Sequence, residues 1–214
     1  MNFFGHLVAA SWIRPSTITP LRGSAGGFGL GAMLPDLLPM CGATLAEPLD
    51  PDIEAGIAFH HRTDAAFHDR PAFVELTREA RAWLMEHGVA RGPALGAAHV
   101  GIELLLDGAL AMDETDHFEA TMLTPVQWRS PIDAARFSQL THGLLAAGVP
   151  GSYGDPQAVA VRLVRILGRR PRLRLDDAGE HTMQRFTDRF APRVRDDAPK
   201  ILDELRSALL VTSA

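Results

Sequence analysis

Apolar and polar residues recur along most of this chain with a helical period, and one stretch departs from it by being apolar on nearly every side. From Pro93 to Ala111 the sequence PALGAAHVGIELLLDGALA carries only three ionisable residues, His99, Glu103 and Asp107. Each follows the last by four, so at ~3.6 residues per turn all three share one side of a helix. Upstream, Asp50-Pro51-Asp52 supplies a cap, a proline for the first helical position and acids for the first turn. The helix it starts is expected to run to about Arg70, where Pro71 stops or kinks it. That helix carries a second file at the same spacing: His60, Asp64 and His68.

The rest of the pattern is also helical. A short helix is expected over Phe3–Trp12, capped by Asn2 and ended by Arg14 and Pro15, with His6 among apolar neighbours. Phe73 to His87 is amphipathic and stops at Gly88. Ser130-Pro131 starts a helix to about Ala147, Asp155-Pro156 another to about Arg170, and two more cover roughly Asp177–Phe190 and Arg193–Leu210. Between the first two helical stretches, Ser16 to Ala32 holds Gly23, Gly26, Gly27, Gly29 and Gly31. It reads as a flexible connection into MLPDLLP, where Asp36 sits, and lacks the G-x-x-x-x-G-K-[ST] order of a phosphate loop. Val149 to Asp155 is expected to be a mobile surface turn. The fold class is therefore all-α: a single-domain helical bundle, with residues 1–111 carrying the chemistry and 112–214 adding packing helices.

Composition narrows the setting. The 214 residues suffice for one medium domain with its own core, and 46% hydrophobic with 22% charged residues is ordinary for a soluble protein. A net charge of −5 gives no support to nucleic-acid binding. The single cysteine, Cys41, cannot form an internal disulfide. The opening residues lack the basic start of a signal peptide, and no uncharged apolar run reaches the ~20 residues of a membrane span. A cytoplasmic location without membrane attachment is expected.

Two helices that each present a three-member polar file can form a cage of imidazoles and carboxylates if they pack side by side, with His6 and Asp36 joining from the first segments. One buried His or Asp alone is more often a satisfied core group than a ligand. Six in two files are harder to satisfy without a bound ion, because buried charge must be paired or coordinated. Helical bundles hold metals between facing helices, and this oxygen-rich set favours Mn, Fe or Mg over a structural zinc. The arginine-rich VRLVRILGRRPRLR, Val161 to Arg174, reads as a solvated helix face and basic loop, or as a docking patch for phosphate or an acidic partner. His61, His87, His117, His142 and His181 read as outward-facing.

Four blocks, in order, resemble the acyl-carrier-protein phosphodiesterase family. MNFFGHLVAA is similar to its MNFLAHLHLA-like opening and GAMLPDLL to its GN-x-x-x-D segment. GIAFHHRTDAAFHDRP is similar to GI-x-x-H-R-x-I-D-x-x-T-D-x-H-P, and VGIELLLDGALA to V-D-V-x-x-D-H-x-L-A. The resemblance covers roughly the first half of the chain. It implies an all-helical, HD-domain-like fold in which a divalent ion, Mn first, with Fe, Mg or Zn as alternatives, activates water against a phosphodiester. By position it implicates His6, Asp36, His60, Asp64, Glu103 and Asp107 as metal ligands. Departures are Ala32 for Asn, His68 for Asp, Arg70 for His, Glu103 for Asp and Gly108 for His; His99, one turn before Glu103, is the available replacement imidazole.

The expectation is thus a metal-dependent phosphohydrolase in which Asp64, His68 and His99 serve as proton carriers or further ligands. Arg62, Arg165 and Arg169 would hold substrate phosphate, on a phosphorylated small molecule or an acidic carrier protein. Two other readings stay open: a di-iron protein that activates oxygen, and a relative without catalysis that acts as a binding module.

Overall fold

The computed structural model describes residues 1–13, 25–111 and 115–211, most of them helical. In chain order α1 spans Phe3–Ile13, α2 Ala25–Cys41, α3 Pro51–His68, α4 Pro71–Glu86 and α5 Arg91–Leu110. Then come α6 (Thr115–Met122), α7 (Pro131–Ala146), α8 (Pro156–Gly168) and α9 (Asp177–Val211), with 3-10 turns at Gly151–Gly154 and Pro171–Leu173. The only β-type pairing among the described residues is an isolated bridge, Leu45 to Trp128. The protein is all-α, as the periodicity predicts. Its helices gather into two compact units, each built from two stretches of chain: Met1–Ala66 with Asp113–Pro150, and Phe67–Met112 with Gly151–Ala214.

In the first unit α1 is a core helix, buried at every position from Phe3 to Ala10. The Phe3 and Phe4 rings each lie 5.9 Å from Phe118 of α6, which fixes α1 along its length. The glycine-rich run is not a flexible connection where it is described: from Ala25 onward it is helical, and Phe28 to Leu34 are buried. Its glycines serve close approach. A Cβ on Gly31 would strike the Ile53 carbonyl and stand 2.9 Å from Gly56 Cα. One on Gly56 would strike the Phe28 carbonyl and stand 2.8 Å from Ala32 N. Two helices can cross this closely only where neither has a side chain. Arg14 and Pro15, expected to end α1, lie outside the described residues, as do 16–24 and 112–114.

The α3 cap forms as expected, with Asp50 Oδ1 accepting from Asp52 N at 2.9 Å and Ile53 N at 3.3 Å. Ser130 likewise caps α7. Asp133 then accepts from Ser130 Oγ at 2.5 Å and from Thr44 N at 3.0 Å, tying the segment after α2 to the start of α7.

In the second unit α5 packs against α4, α8 and α9. Phe73, Leu76, Ala80 and Leu84 form the buried stripe of α4, and Val159, Leu163 and Leu167 that of α8. By length and composition α5 is apolar enough to cross a membrane, but 56% of its most apolar window is buried inside the protein. It is the core helix of this unit.

The C-terminal region is one helix, α9, with Pro192 and Pro199 inside it, where two were expected. Its buried stripe, Phe186, Phe190, Val194, Ala198, Ile201, Leu205 and Leu209, keeps phase across both prolines. Both prolines are exposed, so the carbonyls they leave without an in-helix donor face water. The Val149–Asp155 segment is packed instead of mobile: Tyr153 is 2% exposed, and the 3-10 turn that carries it lies against α5.

The glycine crossing yields a test. Gly56→Ala is expected to cost about 1–3 kcal/mol or more, lowering Tm by several degrees in thermal denaturation, whereas a change at exposed Ala58 leaves Tm unmoved.

Candidate metal centre

Within the first unit, α1, α2 and α3 bring His6, Asp36 and His60 together, one ligand atom from each lying within 4.8 Å of the others. His6 is fully buried and its ring centroid is 3.9 Å from that of His60. Asp64, one turn after His60, places Oδ1 3.7 Å from His6 Nε2, too far for a hydrogen bond, and 3.2 Å from the Met1 amine.

The nitrogens of both rings are assigned by their neighbours. The Thr63 hydroxyl donates within its own helix, to Phe59 O at 3.0 Å or His60 O at 2.9 Å. Its oxygen is therefore the acceptor for His6 Nδ1–H, 2.8 Å away. His60 Nδ1 lies 2.9 Å from the carbonyl of Ala32, which can only accept. With the Thr63 proton on a helix carbonyl, each ring carries its own proton on Nδ1 and offers Nε2 as a lone pair. His6 Nε2 is buried with no hydrogen-bond partner among the described residues. Burial holds the His6 pKa down to about 4, against a weaker upward pull from Asp64, and burial also lowers that of His60. Both rings are neutral at pH 7. Neutral imidazoles oriented through Nδ1, beside carboxylates, are the donor set of a Mn, Fe or Zn site, so the residues fit a divalent ion.

The second unit holds a separate group. Glu103 of α5 has its Oε1 3.1 Å from Nε2 of His68, the last residue of α3, and 3.3 Å from Nε2 of His99, one turn earlier on α5. The two imidazoles stack at 4.9 Å. Burial pushes the Glu103 pKa up, yet hydrogen bonds from His68 and then His99 outweigh it and hold the carboxyl well below the ordinary range. Glu103 is thus an anion between two rings.

The remaining expected residues stand as follows. Asp107, also on α5, is fully buried, and its charge contributes to raising the pKa of Tyr153, whose main cause is burial. Arg62 is exposed, its guanidinium 5.8 Å above the Phe59 ring, and Arg165 and Arg169 are exposed on α8 and at its end. Gly108, where the resembled family has His, could carry no side chain: a Cβ there would strike the Tyr153 carbonyl and lie 2.9 Å from Gly154 N. The imidazoles that reach Glu103 are those of His68 and His99. Thr63 and the Ala32 carbonyl, which orient the two rings of the first unit, were not singled out from the sequence. A threonine inside an amphipathic helix carries no mark of its tertiary partner, and a backbone carbonyl carries none at all.

Comparison of the sequence with family models and with curated proteins, and of the fold with solved structures, returns no match.

Two outcomes are expected. The unfolded His6 ring, near 6.5, takes up its proton before the folded ring at about 4, so stability of the metal-free protein falls as pH falls through that window. His6 alone accounts for about 3 kcal/mol of this loss, seen as a Tm decline in chelator-treated protein that is smaller in His6→Gln. Gly108→His, which restores the imidazole of the resembled motif, is expected to lower Tm sharply, because backbone occupies the space; an unchanged Tm would show that the 3-10 turn yields.

Proposed function

We propose that this protein is a metal-dependent phosphohydrolase acting on phosphodiesters, with His6, Asp36 and His60 of the first unit as the ligand set for its divalent ion. The observation that carries the reading is the buried, unsatisfied Nε2 of His6, facing His60 and a carboxylate. A buried acceptor left without a partner costs about 1–3 kcal/mol, and a cation recovers that cost. The motif order shared with the acyl-carrier-protein phosphodiesterases supports the same conclusion from the sequence side. Mn is the first choice of ion, with Fe, Mg or Zn as alternatives.

When bound, such an ion lowers the pKa of its water and neutralises charge on phosphoryl oxygens. The chain's own residues do the rest. Thr63 and the Ala32 carbonyl fix the rings, so the lone pairs keep their direction. Asp64, 39% exposed at its side chain, is the carboxylate open to solvent and takes the proton. Arg62, exposed on α3 in the same unit, is assigned to the phosphate of a phosphorylated small molecule or to an acidic carrier-protein partner. The free thiol of Cys41 suits a cytoplasmic setting.

The covered space at Gly108 favours a second reading, a relative that holds an ion and a partner without hydrolysis. One experiment separates them. Chelator-treated protein is reloaded with Mn, Mg, Fe or Zn, its metal content measured, and hydrolysis of bis(p-nitrophenyl) phosphate followed. The hydrolase reading expects turnover with at least one ion, falling by about a hundredfold or more in Asp36→Asn and His60→Ala. Full occupancy without turnover on this or any carrier-protein phosphodiester selects the binding module.

A further inference from the structure

The His68–Glu103–His99 group of the second unit has no part in the ligand set proposed above. Its geometry is more specific than a hydrogen-bonded trio requires. Both imidazoles direct the same atom, Nε2, at the same oxygen, Glu103 Oε1, at 3.1 and 3.3 Å. In a tetrahedral zinc site with bonds of about 2.0–2.1 Å, adjacent ligand atoms are separated by about 3.3–3.4 Å. Two of the three edges are therefore close to those of such a tetrahedron, and all three ligand atoms lie within 4.8 Å of one another.

The supports are rigid. His99 and Glu103 are four apart on α5, the core helix, so both project from one face of an element whose other faces are packed. His68 sits on the last turn of α3, and the Phe73 ring stands 5.7 Å from each of the two imidazole rings, limiting their rotation. Access is graded: the Glu103 side chain is 11% exposed, His68 31% and His99 44%. The carboxylate forms a shielded floor, and the imidazoles form a rim that an ion and a water can reach.

We infer that His68, His99 and Glu103 form a second divalent-ion site of the zinc class, with two imidazoles and one carboxylate as ligands and a fourth position left for water or a substrate oxygen. The donor set is borderline in softness, which suits Zn, Co or Fe better than Mg or Ca. Three protein ligands with an open position is the arrangement of sites that bind or activate a small molecule, whereas structural zinc sites close all four positions. Glu103 supplies the fixed negative charge, and each imidazole would bind as the neutral ring through Nε2, its one proton passing through solvent from Nε2 to Nδ1.

The test uses the full chain, stripped with chelator and titrated with Co(II), because four-coordinate cobalt absorbs visible light far more strongly than six-coordinate cobalt. Wild type is expected to take up a cobalt ion with an intense visible band, which added Zn(II) displaces. His99→Ala, at a half-exposed position that leaves folding intact by circular dichroism, and Glu103→Gln should each lose the band and weaken cobalt binding at least about tenfold. His60→Ala should keep it. A wild type without the band overturns the proposal, as does a band that survives both His99→Ala and Glu103→Gln, since the three side chains are then a hydrogen-bonded trio only. A band lost in His60→Ala but kept in His99→Ala also overturns it, by assigning the ion to the first unit. Because the readout is a spectrum, phosphodiester turnover does not enter it, and failure of the hydrolase reading leaves this site standing.

Discussion

An imidazole with no solvent contact must resolve two demands at once: it cannot keep a charge, and it cannot leave both nitrogens idle without cost. His6 meets the first by staying neutral, its pKa brought to about 4 by burial. It meets half of the second through Thr63, whose oxygen takes the Nδ1 proton. What remains is a single lone pair inside the first unit, within reach of His60 and Asp36. The same resolution is repeated at His60 through the Ala32 carbonyl. The direction of both ring nitrogens in this cluster is thus set by oxygens outside it, those of Thr63 and Ala32.

That arrangement depends on close helix approach. The Ala32 carbonyl can accept from His60 only because α2 and α3 touch backbone to backbone at Gly31 and Gly56. Glycine is a poor helix residue, costing about 1 kcal/mol against alanine, yet α2 contains Gly26, Gly27, Gly29 and Gly31. Tertiary packing overrides that propensity. The second unit has a comparable close approach at Gly108, where the Tyr153 backbone fills the space a side chain would take.

Much of the helical layout is legible in the chain. Periodicity and the Asp50-Pro51, Ser130-Pro131 and Asp155-Pro156 starts locate α3, α7 and α8, because caps and first-turn prolines are local signals. The glycine run defeats local reading, since its purpose is a partner helix absent from the local window. So does α9, where two prolines suggest a break but an in-phase apolar stripe and exposed carbonyls make one rod cheaper than two. At the site, four-residue spacing selects His60, Asp64, His99 and Glu103, all of which join a cluster or its edge. It does not show that the residues divide between two groups, one around His6 and one around Glu103, because a helix face reveals which side chains align and not which neighbour they meet.

The claim most exposed to contradiction is the protonation of the two buried rings. Long-range proton–nitrogen NMR correlation on uniformly ¹⁵N-labelled, metal-free protein at neutral pH distinguishes the tautomers of His6 and His60 directly. The account predicts two neutral rings, each protonated on Nδ1 with a bare Nε2. A charged ring at either position, or a proton found on Nε2, would contradict it and leave the first unit without the lone pairs on which an ion depends.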